Sequence, residues 1–225
     1  PTMFFAVLMF GQAGAEIIYP NPGFPIYESV IRYSGATPVP MALLEENGFA
    51  FDAETVLSQI TDKTRLIIIN SPANPTGGVT PKAEIDKLVA GLAAHPHVAI
   101  LSDEIYSQML YDGRRHVSLM SYESIRDRVI LLDGWSKTYA MTGWRVGWMI
   151  GPTDLIKAAG NLQSHGTSNV ANVSQQAALA AVSGDLTAVA DMRASFDRRR
   201  RSMTEMLQSI EGVDLLTPQG ARPLI

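Results

Sequence analysis

Arg65-Leu66-Ile67-Ile68-Ile69-Asn70-Ser71-Pro72-Ala73-Asn74-Pro75-Thr76-Gly77-Gly78 joins an uninterrupted apolar run to a rigid turn. Four consecutive aliphatic residues without polar alternation fit a central strand covered on both faces, as in parallel sheets. Asn-Pro and Gly-Gly then force a turn at the strand's carboxyl end, where open α/β sheets place their ligands. An ordinary tight turn uses the same residues, so this stretch speaks for the fold before it speaks for chemistry.

Val98-Ala99-Ile100-Leu101 repeats the pattern. Strands are expected at 16–19, 37–41, 65–70, 98–102, 129–132 and 146–150, with helical patterns between them at 26–34, 53–59 and 81–93. That alternation is the signature of an α/β layer fold. The third helix carries a start signal, with Thr80 placed to cap free N–H groups and Pro81 suited to the first helical position. After Gly151-Pro152 the texture changes, and 153–163, 173–182 and 185 to 209 read as helices with no strand between them. The expected architecture is a three-layer α/β sandwich with a mostly parallel mixed sheet over 1–183, followed by the start of a small α+β domain over 184–225.

Composition narrows the function classes. Of 225 residues, 46% are hydrophobic and 18% charged, which suits a packed globule and not a disordered chain. A net charge of −4 provides no basic field to recruit nucleic acid or anionic lipid. The absence of cysteine removes disulfides, thiolate metal sites and cysteine nucleophiles, and fits a reducing, cytoplasmic setting. No apolar run approaches the roughly 20 residues needed to span a bilayer. The greasiest stretch, 3–10, precedes Gly11-Gln12-Ala13-Gly14-Ala15 and superficially resembles a signal-peptide core with its cleavage site. It lacks a basic region ahead of it and the chain starts at Pro1, so it reads as a buried helix whose beginning is missing. The run Arg198-Arg199-Arg200-Arg201 fans around a helix and reads as a solvated or salt-bridged face. His95, His97, His116 and His165 show no metal-ligand spacing, no metal site is expected, and His116 reads as a surface residue.

Three further segments carry chemistry. Ser102-Asp103-Glu104-Ile105-Tyr106 ends a second buried strand. Asp103 and Tyr106 can face one ligand if a helical turn starts there, while Asp103 as a helix cap is an equal alternative. Gly134-Trp135-Ser136-Lys137-Thr138-Tyr139-Ala140-Met141-Thr142-Gly143-Trp144-Arg145-Val146-Gly147 follows a third strand. Among such aromatic and small residues a charged lysine is costly unless its pKa falls or it forms a covalent imine. Arg145, eight positions on, can clamp phosphate with two N–H donors. Tyr19-Pro20-Asn21-Pro22-Gly23-Phe24-Pro25-Ile26-Tyr27 presents Phe24 as a flat apolar surface from a rigid path, although a core aromatic in a turn would look the same.

Taken in order, Pro-x-Phe…Tyr, Asn-Pro-Thr-Gly, Asp-Glu-Ile-Tyr and Ser-Lys with its later arginine resemble the aspartate aminotransferase superfamily, the fold type I pyridoxal-phosphate enzymes. The resemblance covers nearly the whole chain. It implies pyridoxal 5'-phosphate as cofactor, with amino acid and 2-oxo acid as substrates and a homodimeric parent. It further implies Lys137 as the covalent attachment point and proton shuttle, Asp103 as partner of the ring nitrogen, and Asn74 and Tyr106 as partners of the ring hydroxyl. Arg145 and Ser136 would hold phosphate, and Phe24 would stack on the ring. Lys137, Asp103 and Tyr106 are the catalytic candidates.

Several departures qualify the match. Relatives commonly carry a phosphate-binding serine where this chain has Gly134, and Trp135 is bulkier than usual. The family's glycine-rich phosphate loop, expected ahead of Thr2, is not in the chain, nor is the segment that lends a tyrosine to the neighbouring subunit. Thr217-Pro218-Gln219-Gly220-Ala221 resembles the start of the small-domain strand, but Arg222-Pro223-Leu224-Ile225 departs from it. The substrate-carboxylate arginine is expected further on, and Arg222 is not assigned that role. The chain therefore reads as truncated at both ends and is expected to be inactive alone. Alternatives on the same scaffold are a carbon–sulfur lyase, an aminocyclopropane-carboxylate synthase-like enzyme, or a non-catalytic cofactor-sensing regulatory domain.

Overall fold

Successive side chains of the 66–69 run leave the backbone on opposite sides, and both sides are covered. Leu66 and Ile68 pack with Val7, Ile17, Ile31, Leu101 and Ile130, whereas Ile67 and Ile69 pack with Ile18, Val56, Leu88, Leu92 and Ile100. Residues 2–221 are described by this computed structural model, so Pro1 and the departure over 222–225 lie outside the described residues. In chain order the elements are α1 (Thr2–Phe10), β1 (Glu16–Asn21), α2 (Ile26–Tyr33), β2 (Thr37–Ala42), α3 (Ala53–Ser58), β3 (Thr64–Asn70), α4 (Lys82–Gly91), β4 (Ala99–Asp103), β5 (Val129–Gly134), α5 (Trp135–Thr138), β6 (Gly147–Ile150), α6 (Thr153–Gly166), α7 (Asn172–Ser183) and α8 (Thr187–Gln208).

The sheet order is β2-β1-β3-β4-β5-β6. The first five strands are parallel and β6 runs antiparallel to β5, giving the mostly parallel mixed sheet read from the sequence. Strand order reverses between β1 and β3, the kind of switch point at which α/β sheets open a crevice. Helices α1 and α2 supply one cover, with Phe5, Ala6 and Val7 of the greasy N-terminal stretch buried. Helices α3 and α4 supply the other through Val56, Leu88 and Val89.

Three local readings are corrected. Thr80 does not cap α4, because Pro81 occupies the N-cap position in an extended conformation and no side-chain cap bond forms. The Thr80 backbone N–H is instead taken by the Ser71 hydroxyl at 3.0 Å, which draws the residue into the turn after β3. Residues 217–221 form no strand beyond an isolated bridge between Gly220 and Leu110. Arg200 is not solvated. Its side chain is 5% exposed, and its guanidinium donates to Asp112 Oδ1 at 2.8 Å, Asp197 Oδ1 at 2.6 Å and Pro218 O at 2.9 Å and lies 4.8 Å over the Tyr111 ring. The arginine run is thus salt-bridged, as one of its readings held, but one member is an interior anchor of α8.

Breaking such an ion pair strands buried charge, although Asp112 remains half exposed and keeps part of its hydration. Arg200→Ala is expected to destabilise the fold by about 2 kcal/mol, whereas Arg201→Ala on the exposed side should stay within about 0.5 kcal/mol. Denaturant unfolding of the two variants checks this, and equal losses would contradict the anchoring role.

Candidate active site

Parallel pairing puts the carboxyl ends of β1, β3, β4 and β5 on one edge of the sheet, and the segments that leave this edge line a cavity of about 820 Å³. Every residue singled out as a site candidate borders it: Phe24, Asn74, Asp103, Tyr106, Ser136, Lys137 and Arg145. They come from four chain segments, so the sheet brings together what the sequence separates.

The turn after β3 is fixed from the strand itself. Asn70, level with Asp103 in the β3–β4 ladder, donates from Nδ2 to Asp103 O at 3.0 Å and accepts the Asn74 N–H at Oδ1 at 3.0 Å. The Ala73 N–H bonds Gly78 O and the Gly77 N–H bonds Ala73 O, each at 2.9 Å. Gly77 has φ 72°, the left-handed region in which a side chain is strained.

Asp103 ends β4 and is buried. Tyr27 of α2 donates its hydroxyl to Asp103 Oδ2 at 2.6 Å, and the Ile105 amide reaches Oδ1 at 3.3 Å. Burial raises the Asp103 carboxyl above the usual carboxylate value, and these two donors together with Lys137 partly offset it. Burial, and then the neighbouring Asp103 charge, pushes the Tyr27 hydroxyl well above the ordinary tyrosine value, so it is the donor. A hydrogen-bonded turn, not a helix, follows Asp103, so the helix-cap alternative does not apply. Tyr106 nevertheless reaches the cavity, and its ring lies 5.6 Å from Lys137 Nζ.

Lys137 sits on the single turn of α5, directly after β5. Gly134 at that junction explains one departure from the family pattern. A Cβ there would fall 2.9 Å from the Gly147 Cα and 3.1 Å from Val146 O, so β6 crosses too closely for serine without a backbone shift. Trp135 turns to α7, donating its indole N–H to Ala178 O at 3.0 Å and packing with Met141 and Val146. Arg145 is held in the left-handed region at φ 53°, where the chain reverses into β6, and donates to Thr142 O at 2.8 Å. Strain of this kind clusters at ligand sites. Phe24 is 44% exposed and meets the Tyr27 ring edge-on at 5.8 Å.

The sequence reading missed three side chains. Tyr27 appeared only as a motif letter, and its bond to Asp103 spans 76 positions. Asp133, beside Leu132 at the end of β5, lines the cavity and accepts from the Gly134 amide at 2.6 Å. His116 is not a free surface residue, because its Nε2 lies 2.6 Å from Oε2 of the buried Glu104. Among the described residues no cluster of three or more His, Asp or Glu could hold a metal ion, and no helix is long and apolar enough to cross a membrane.

Fold and cavity together define an α/β domain with a cavity at the carboxyl edge of a mostly parallel sheet, lined by Lys137. A family model described as aminotransferase class I and II matches residues 3–222. An aspartate aminotransferase of Streptomyces avermitilis is 47% identical over 218 residues, covering 96% of this chain and 53% of the relative. One from Pinus pinaster is 37% identical over 96% of this chain and 44% of its own length. Among solved structures, an aspartate aminotransferase from Rhizobium meliloti superposes with a TM-score of 0.94 at 36% identity, covering 97% of this chain and 55% of that one. An aromatic aminotransferase from Pyrococcus horikoshii gives 0.93 at 33% identity, over 98% and 59%. The chain belongs to the class I and II aminotransferase family, whose enzymes depend on pyridoxal phosphate. It spans about half the length of the curated relatives it matches.

Burial raises the Asp133 carboxyl from its ordinary 3.8 to about 6. Between those values the folded chain binds a proton that the unfolded chain has released, so stability falls as pH rises through this window. Above it Asp133 weakens the fold as a partly buried charge. Asp133→Asn should therefore melt higher than the wild type at pH 8, with the gain fading as pH falls toward 4. A gain that is unchanged across this range, or a loss at pH 8, would contradict the assignment.

Proposed function

We propose that the protein carrying this chain transfers an amino group from an amino acid to a 2-oxo acid, using pyridoxal 5'-phosphate bound in the cavity. The observation that carries this reading is the meeting of Lys137, Asp103, Asn74, Tyr106 and Phe24 in one cavity at the sheet's carboxyl edge. The donor set fits the cofactor's chemistry. Phe24 offers an aromatic face to a flat ring, buried Asp103 an anion for a protonated ring nitrogen, and Asn74 and Tyr106 polar groups for the ring oxygen. Ser136 and Arg145 offer a hydroxyl and a guanidinium for phosphate.

When bound, pyridoxal phosphate supplies an electron sink for the pair left as an amino acid loses its α-proton. Asp103 would hold a proton on the ring nitrogen, and the Tyr27 hydroxyl keeps its carboxylate aimed. Lys137 Nζ would hold the cofactor and, as a neutral amine, would take the proton from the substrate α-carbon. The Tyr106 ring lies beside Nζ, 5.6 Å away.

The relatives' names support transfer over the lyase and regulatory alternatives, and point to aspartate as a donor. In this reading residues 1–183 form the cofactor-binding domain and 184–225 begin a small domain, supported by the change to helices alone after β6. Homodimerisation is part of the proposal, supported by exposed Leu179 and Val182 on one face of α7. A cytoplasmic setting suits a chain without cysteine.

The test incubates the protein with pyridoxal phosphate, 2-oxoglutarate and a panel of amino acids. Keto acid and glutamate are expected, with Asp103→Ala retaining cofactor but losing roughly a hundredfold or more in turnover. Pyruvate with ammonia and a thiol would mean a lyase, and undiminished turnover in Asp103→Ala would remove that carboxylate from the mechanism.

A further inference from the structure

One buried carboxylate at the edge of the cavity has no part in the chemistry above. Glu104 follows Asp103 directly but does not line the cavity. Its Oε1 accepts from the Ser102 hydroxyl at 2.8 Å, the Ser118 hydroxyl at 2.9 Å and the Leu119 amide at 3.2 Å, and its Oε2 meets His116 Nε2 at 2.6 Å. Its own backbone N–H is fixed to Leu132 O of β5 at 2.9 Å.

These partners fall at the two ends of one excursion of the chain. The loop leaves β4 at Glu104, carries Tyr106 past Lys137, and returns at 116–119 to the same carboxylate. Its far side is held separately, with the Tyr111 hydroxyl donating to Ala221 O and the Ala221 amide to Met109 O. Closing a loop at its base removes much of the freedom its residues would otherwise keep. A buried carboxylate with four donors is an expensive way to fill space, since an apolar side chain would need none of them.

We propose that Glu104, clasped by His116 and Ser118, is a positioning residue that fixes Tyr106 and the Asp103 carboxylate for the cofactor. This rests on the reading of the cavity as a pyridoxal-phosphate site. His116 gives the sharpest probe because it is outside the cavity lining and makes one identifiable bond. Glutamine can replace its ring N–H donor, and leucine can fill the volume but cannot donate.

The experiment measures the pyridoxal phosphate dissociation constant and the pH midpoint of the lysine-bound cofactor's absorbance, with the melting temperature of the cofactor-free protein recorded alongside. Loss of one hydrogen bond to a charged group corresponds to roughly a tenfold change in an equilibrium constant. His116→Leu is expected to weaken binding roughly tenfold and shift the absorbance midpoint, and His116→Gln to remain near the wild type. Ser118→Ala, which removes a different donor from the same carboxylate, should repeat the loss if the leucine variant does not fold. A leucine or alanine variant that melts lower yet binds and titrates as the wild type would reduce the clasp to a stabilising contact and overturn the proposal. A glutamine variant as weak as leucine would overturn it too. Failure of the wild type to bind is a separate result, which removes the cofactor reading and this inference with it.

Discussion

The parallel ladder joining β3, β4 and β5 sets where Asn74, Asp103, Tyr106 and Lys137 come to rest. Because the three strands point the same way, Asn70, Asp103 and Leu132 end level with one another, and each strand releases its loop on the same side. Asn70 turns that alignment into chemistry, binding the Asp103 backbone with one side-chain group and the Asn74 amide with the other. The antiparallel β6 adds the last constraint. It crosses Gly134 so closely that the lysine turn must start from a residue without a side chain. A slip of one residue in this ladder would send Asp103 to the opposite face and scatter the site.

Electrostatics of the cavity follow from burial. Asp103 and Asp133 end adjacent strands, and each is driven by burial toward its neutral form. Their donors differ. Asp103 receives a tyrosine hydroxyl that is itself too buried to ionise, and Lys137 adds favourable charge, so its carboxylate is supported. Asp133 has a close backbone amide and a distant serine hydroxyl at 3.4 Å, and burial raises its carboxyl to about 6. Two acids side by side in one cleft, both raised by burial, are a pattern that recurs at functional sites.

Much of this was legible in the sequence because it rests on local signals. The apolar runs at 66–69 and 98–101 announced doubly covered strands, and the turns after them announced the ligand edge. Asn74, Asp103 and Lys137 could be named because each lies within four residues of a strand's end. What stayed hidden depends on partners distant in sequence. Arg200 looked like one of four equivalent surface charges until Asp112 and Pro218 closed around it. Glu104 and His116 are twelve positions apart with no periodicity to link them, so the histidine read as a surface residue. Thr80 looked like a cap because the local pattern is correct, but α4 starts one residue later, with Pro81 at its N-cap.

The central claim is that the lysine on α5 is where the cofactor is bound. Lysines elsewhere serve as internal controls, since Lys157 and Lys82 lie on the outer surfaces of α6 and α4 with side chains 73% and 64% exposed. The direct measurement is borohydride reduction of the protein in the presence of pyridoxal phosphate, followed by peptide mass analysis. The account predicts a single stoichiometric pyridoxyl adduct on Lys137. A stoichiometric adduct on Lys157 or Lys82, with Lys137 unmodified, would contradict it.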